Sequence, residues 1–109
     1  KQVATKKVVE GSTGAVHGQE VTGTTATVTS VDAGGLIQAD NAAAITITIE
    51  KDDSFQEDNM LAVVQLGAGV VTFVAGSGVT LLNTVPTTGQ YNIQSVIYLG
   101  NSTWFQPVI

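Results

Sequence analysis

Apolar and polar positions alternate through most of this chain, in short runs separated by glycine, asparagine and aspartate. From Val21 the pattern sharpens. Over residues 24–31 Ala26 and Val28 share one face, with threonines on the other, as in a half-buried strand. The Asp32-Ala33-Gly34-Gly35 turn precedes a short strand, Leu36–Ala39. The cleanest strand is Ala44–Glu50, where Ile45, Ile47 and Ile49 point one way and Thr46 and Thr48 the other. Residues 60–66 read as a strand buried on both faces, and 70–75 as its return. Gly67-Ala68-Gly69 between them predicts a tight β-hairpin. Further strands are expected over Val79–Leu82, Tyr91–Leu99 and Thr103–Gln106, with a hairpin turn at Gly100-Asn101-Ser102.

No long amphipathic helix competes with these strands. Residues 51–59 form a charge-rich loop, with room for one helical turn. About eight short strands, with turn signals at close intervals, predict an all-β fold: an antiparallel β-sandwich or jelly-roll-like barrel. The expected organisation is an N-terminal arm or loosely held first strand over 1–20 and a β-sandwich domain over 21–109.

Composition narrows the function classes. Valine and threonine dominate, and branching at Cβ favours the pleated sheet. Cysteine is absent, so the chain can form no disulfide and no thiolate metal site. The net charge is −5, arginine is absent, and three of the four lysines lie in the first seven residues. Phosphate recognition needs clustered cations, so the charge pattern disfavours nucleic acid as a partner. No apolar run reaches the length of a membrane-spanning helix, and the basic start lacks the apolar stretch of a signal peptide. The expected partners therefore include neither nucleic acid nor membrane. Charged residues are only 12% of the chain, which fits a surface partly covered by other subunits.

The chain resembles a β-rich module of tailed-phage virion structural proteins, which occurs in head decoration proteins, head fibres and tail-fibre tips. The residues carrying the resemblance are DAGGLI (32–37), AITITI (44–49), VVQLGAGVVTFVAGSGVTL (63–81), GQY (89–91) and TW (103–104). It covers about two-thirds of the chain, and QLGAGVVTFVAGSGVTL is its most specific part. Two features depart from the pattern: Thr88 stands before GQY, where a basic residue is common, and the chain lacks an acidic tail. The resemblance implies a homotrimeric, non-enzymatic virion component, assembled in the bacterial host cytoplasm, that decorates or stabilises the capsid. Its partners would be its own copies and the major capsid protein or other virion subunits. The alternative is the receptor-binding tip of a tail fibre, with loops 51–59 and 83–88 on a host surface glycan or protein. The family carries no catalytic residues and no cofactor, so none is expected here.

Candidate chemistry is sparse. The sole histidine, His17, sits in a glycine-rich polar stretch and would need Ser12 or Ser30 to build a triad. Gly76-Ser77-Gly78 imitates a nucleophile elbow but has no helix after it. Asp52, Asp53, Glu57 and Asp58 form the one acidic cluster, read as a solvated loop because the spacing lacks the glycine and terminal glutamate of an EF-hand. The glycines of 67–69 and 76–78 lack a phosphate loop's lysine and helix, and read as turn residues that adopt positive φ. Phe73 and Trp104 are expected in the core. The residues expected to contact other subunits are Lys6, Lys7, Val8 and Val9 in the arm, and Tyr91, Tyr98 and Phe105 in the body.

Overall fold

The structure, a computed structural model, describes residues 18–107. Nine strands are described: β1 (Glu20–Val21), β2 (Thr25–Val28), β3 (Leu36–Ala39), β4 (Ile45–Ile49), β5 (Met60–Gln65), β6 (Val71–Ala75), β7 (Thr80–Leu82), β8 (Ile93–Gly100) and β9 (Thr103–Phe105). A single 3₁₀ turn at Ser30–Asp32 is the one helical element among the described residues. The all-β expectation holds.

The antiparallel sandwich does not hold over the first six strands. They alternate between two sheets: β1, β3 and β5 pair parallel in one, and β2, β4 and β6 pair parallel in the other. Each odd–even pair is one coil of a flattened, solenoid-like stack with three turns. The expected hairpin over 60–75 is therefore absent. Its two strands, β5 and β6, lie in different sheets, joined by a corner at residues 66–70. The alternation of apolar residues fixes which face of a strand is buried, not which neighbour it pairs with.

The glycines of that corner explain the geometry. A Cβ on Gly69 would overlap the Ala43 carbonyl oxygen, and one on Gly67 would stand 2.6 Å from the Asn41 backbone. The corner of the third coil thus lies directly on that of the second, and Gly69 N donates to Asn41 O at 2.8 Å. Neither glycine has positive φ, so the expected reason for them is corrected: close approach of two backbones requires them. Gly78, in the next turn, does have φ +80°.

The C-terminal strands close the stack differently. β8 runs antiparallel to β5, β9 antiparallel to β8, and β7 parallel to β9, giving the sheet order β1-β3-β5-β8-β9-β7. The hairpin expected at Gly100–Ser102 is present, with a register shift between Tyr98 and Gly100.

The core lies between the two sheets. Ile45, Ile47, Ile49, Val71 and Phe73 face inward from the three-stranded sheet. Ile37, Leu61, Val63, Val96 and Trp104 face them from the six-stranded one. Trp104 packs edge-on against Phe55, with ring centroids 4.7 Å apart, and tilted against Tyr98 at 4.9 Å. Such pairs add about 1 kcal/mol each beyond the area they bury.

Buried polar groups are paired. Gln65 and Gln106 are fully buried amides. Gln65 donates to the Gly67 and Ala68 carbonyls and accepts the Thr87 hydroxyl proton. Thr87 in turn accepts from Val71 N and donates its own N–H to Val71 O, covering part of the open edge of β6. Gln106 exchanges both amide hydrogen bonds with the Val85 backbone. The 83–88 loop is therefore tied to the body at both ends.

Candidate functional site: an interaction surface on the six-stranded sheet

Residues 60–66, which contain β5, were expected to form a strand buried on both faces. In β5 only Leu61, Val63 and Gln65 are buried, while Met60, Ala62 and Val64 face outward. Among the described residues nothing buries that side fully, Met60 being exposed and Ala62 and Val64 half-buried, which corrects the two-face expectation. The ladder registers carry the outward set across the sheet. Met60 lies opposite Ile97, Ile97 opposite Phe105, and Phe105 opposite Leu82, one apolar row over four strands. A second row runs Gln38, Val64, Ile93, and a third runs Leu36, Ala62, Ser95. Ile93 is 61% exposed, Met60 45% and Phe105 36%. At the strand spacing of about 4.8 Å the first row is about 14 Å long. Exposed apolar groups that are scattered singly mean little, but neighbours in register form a patch.

Charge on this face is confined to the β1 end, where Glu20 and Asp40, the residue just past β3, line one shallow hollow with Gln38 and Leu66. Four further acids lie on the 51–59 loop.

That loop does not gather its carboxylates. Asp52 Oδ2 accepts from Ser30 N at 2.8 Å and Oδ1 from Ser54 N at 2.9 Å. The Ser30 and then the Ser54 hydrogen bonds hold the Asp52 carboxyl below the usual carboxylate range. Asp53 pairs with Lys51 at 3.0 Å on the open surface, a contact of little energetic weight. Asp58, at φ +71°, donates its N–H to Tyr98 O. Among the described residues no three acids or imidazoles lie where one metal ion could be shared.

The residues expected to make contacts separate into three groups. Lys6, Lys7, Val8 and Val9 lie outside the described residues, as do His17 and Ser12. Phe105 belongs to the outward apolar row. Tyr91 is 70% exposed at φ +69°, two residues before Ile93, in a turn held by Tyr91 N to Gln65 O and Asn92 N to Gly89 O. Tyr98 is different: it is 8% exposed, stacked in the aromatic cluster, and its hydroxyl accepts from Ser102 N at 2.8 Å. Ser30 spends its N–H on Asp52, and Ser77 sits exposed in the turn before β7.

Met60, Ile93, Ile97 and Leu82 escaped the sequence reading. Their signal was apolar residues at both parities of 60–64 and 93–97, which fits a strand sandwiched inside the fold as well as one facing a partner. An open hollow of about 280 Å³ beside the first coil is lined by Gln19, Glu20, Thr22 and Thr25 among others, with Glu20 its one carboxylate.

Compared with protein-family models, curated proteins and solved structures, the chain matches none of them.

Proposed function

We propose that this chain is a non-enzymatic structural component of a tailed-phage virion, which assembles as a homotrimer and decorates or stabilises the head by docking on capsid subunits. The observation that carries the assembly part is the uncharged apolar row Met60–Ile97–Phe105–Leu82, displayed in register on a rigid sheet. A catalytic module collects polar and ionisable groups in a concave site. Here the exposed row that the strand ladders hold in register is a flat apolar one, which suits protein contact. The virion part rests on the resemblance over residues 63–81, which in the fold comprise the second half of β5, the glycine corner, β6 and the turn into the start of β7.

The stacked coils suit a load-bearing part. Each interior strand of the stack is hydrogen-bonded on both sides, and the corners are locked by backbone contacts at Gly67 and Gly69. The loops 51–59 and 83–88, which a receptor-binding tip would use, are pinned to the body by Asp52, Thr87 and Gln106.

Immunogold labelling tests this reading directly. Antibody against the chain, applied to tailed-phage particles from a lysate of the source, should decorate heads. Label at fibre tips would replace decoration with receptor binding, and the absence of label on any particle would overturn the virion assignment.

A further inference from the structure

We propose that the outward face of the six-stranded sheet is the surface on which copies of this chain pack against one another, with Ile93, Met60 and Phe105 at its centre. The inference rests on the assembly half of the reading above and is independent of the virion half. It commits to a second copy of this chain as the occupant, for reasons of charge and of geometry.

The chain carries a net charge of −5, so two copies repel wherever their acids meet. On this face the repelling groups are confined to the β1 end, where Glu20 and Asp40 line one hollow, and the rows across β5, β8, β9 and β7 carry no charged residue. A basic partner would find carboxylates only at that rim and none along the apolar rows. An acidic partner or a lipid surface would find no cations, since Lys51 is the single Lys or Arg among the described residues and sits in the acidic loop. An uncharged apolar face is satisfied by another like itself.

Six strands at about 4.8 Å, of two to eight residues at about 3.3 Å each, give a face on the order of 400 Å² in projection. Side chains standing up from the sheet make the accessible area larger. The projected face is about half of the roughly 800 Å² that each partner gives to a standard interface, and the flanking loops add to it. Turned toward a threefold axis, one such face meets both neighbours without needing a second patch. The flat row of Met60, Ile97, Phe105 and Leu82 supplies the apolar centre, and Gln38, Ser95 and Thr103 supply a polar surround.

The test is molar mass by light scattering across a dilution series, for the wild type and three lysine variants of the full chain. Ile93→Lys and Met60→Lys place a charge on the face at exposed positions. Thr46→Lys places the same charge on the outer side of the three-stranded sheet, where Thr46 is also exposed. Wild type is expected at a multiple of 11.2 kDa. Ile93→Lys and Met60→Lys should raise the concentration of half-dissociation at least ~30-fold, and Thr46→Lys should not. Circular dichroism of each variant confirms that it is folded, and the two face variants stand in for one another if one is not. A wild-type assembly that survives both face variants would overturn the assigned surface while leaving the oligomer reading intact. A wild type that stays at 11.2 kDa at every concentration would overturn both.

Discussion

The two parts of this molecule reach order by different means. The coils built from β1 to β6 repeat one device: apolar residues stack in register, Ile45 opposite Val71, Ile47 opposite Phe73, and parallel ladders join each coil to the next. The closing unit of β7, β8 and β9 mixes the antiparallel β8–β9 pair with the parallel β7–β9 pair, and packs Tyr98 and Trp104 with Phe55 of the 51–59 loop into a cluster of three aromatic rings. In the coils, stability is spread along a ladder and depends on backbones approaching closely. In the closing unit it is concentrated in a few large side chains. The first arrangement is sensitive to added volume, and the second to its removal.

That contrast gives its own tests. The largest effect is expected for Trp104→Ala, which empties the aromatic cluster. It should cost about 4 kcal/mol in urea unfolding followed by circular dichroism. Amide exchange should accelerate more in β8 and β9 than in β4, and uniform acceleration would mean that the two parts open as one unit. Gly69→Ala comes next. Its Cβ would strike the Ala43 carbonyl, so the second and third coils must separate, at a cost of about 3 kcal/mol read from the urea midpoint. Gly89→Ala serves as its counterpart: a Cβ there meets nothing nearer than 3.7 Å and should change stability by less than about 1 kcal/mol.

Thr87→Val sharpens the boundary between the parts, because Thr87 links the 83–88 loop to both Gln65 and Val71. It strands a buried amide oxygen and an N–H, for an expected loss of about 2 kcal/mol in the same unfolding experiment. The smallest effect belongs to Asp52→Asn. The folded-state pKa of Asp52 lies below its ordinary value of 3.8, so its contribution is fully present above that value and disappears as pH falls through the folded pKa. Wild type should exceed the variant by less than about 1 kcal/mol at neutral pH, since Asp52 is only partly shielded from water. The gap should close below about pH 4 in acid-unfolding curves. A gap that persisted in acid would remove charge from the explanation.

Much of the fold was legible in the residues. Ile45, Ile47 and Ile49 are buried on one face as their spacing requires, and the Gly100–Ser102 hairpin lies where the turn residues place it. Phe73 and Trp104 are core residues, as their size and surroundings suggest. The candidate surface was legible in part. Phe105 and Tyr91 are exposed, whereas Tyr98 is buried because its hydroxyl finds a partner at Ser102 N within the same hairpin. Met60 and Ile93 were missed, because an apolar residue at an outward parity looks the same in sequence whether its own chain or another covers it. The domain boundary expected between residues 20 and 21 falls inside β1.

By itself the sequence determined that the chain folds as short strands, which face is buried where apolar and polar residues alternate strictly, as in Ile45–Ile49, and where turns interrupt them. These are local matters, set by Cβ branching, a two-residue period and glycine placement. Only the tertiary structure decided that β5 and β6 part company at residues 66–70 instead of closing a hairpin. It also decided that Gly67 and Gly69 serve a backbone contact with residues 41–43, and that Met60, Ile97, Phe105 and Leu82 line up in one row. Each of these depends on which distant strand becomes a neighbour. A two-residue period carries no information about that choice, because parallel and antiparallel ladders accept the same alternation.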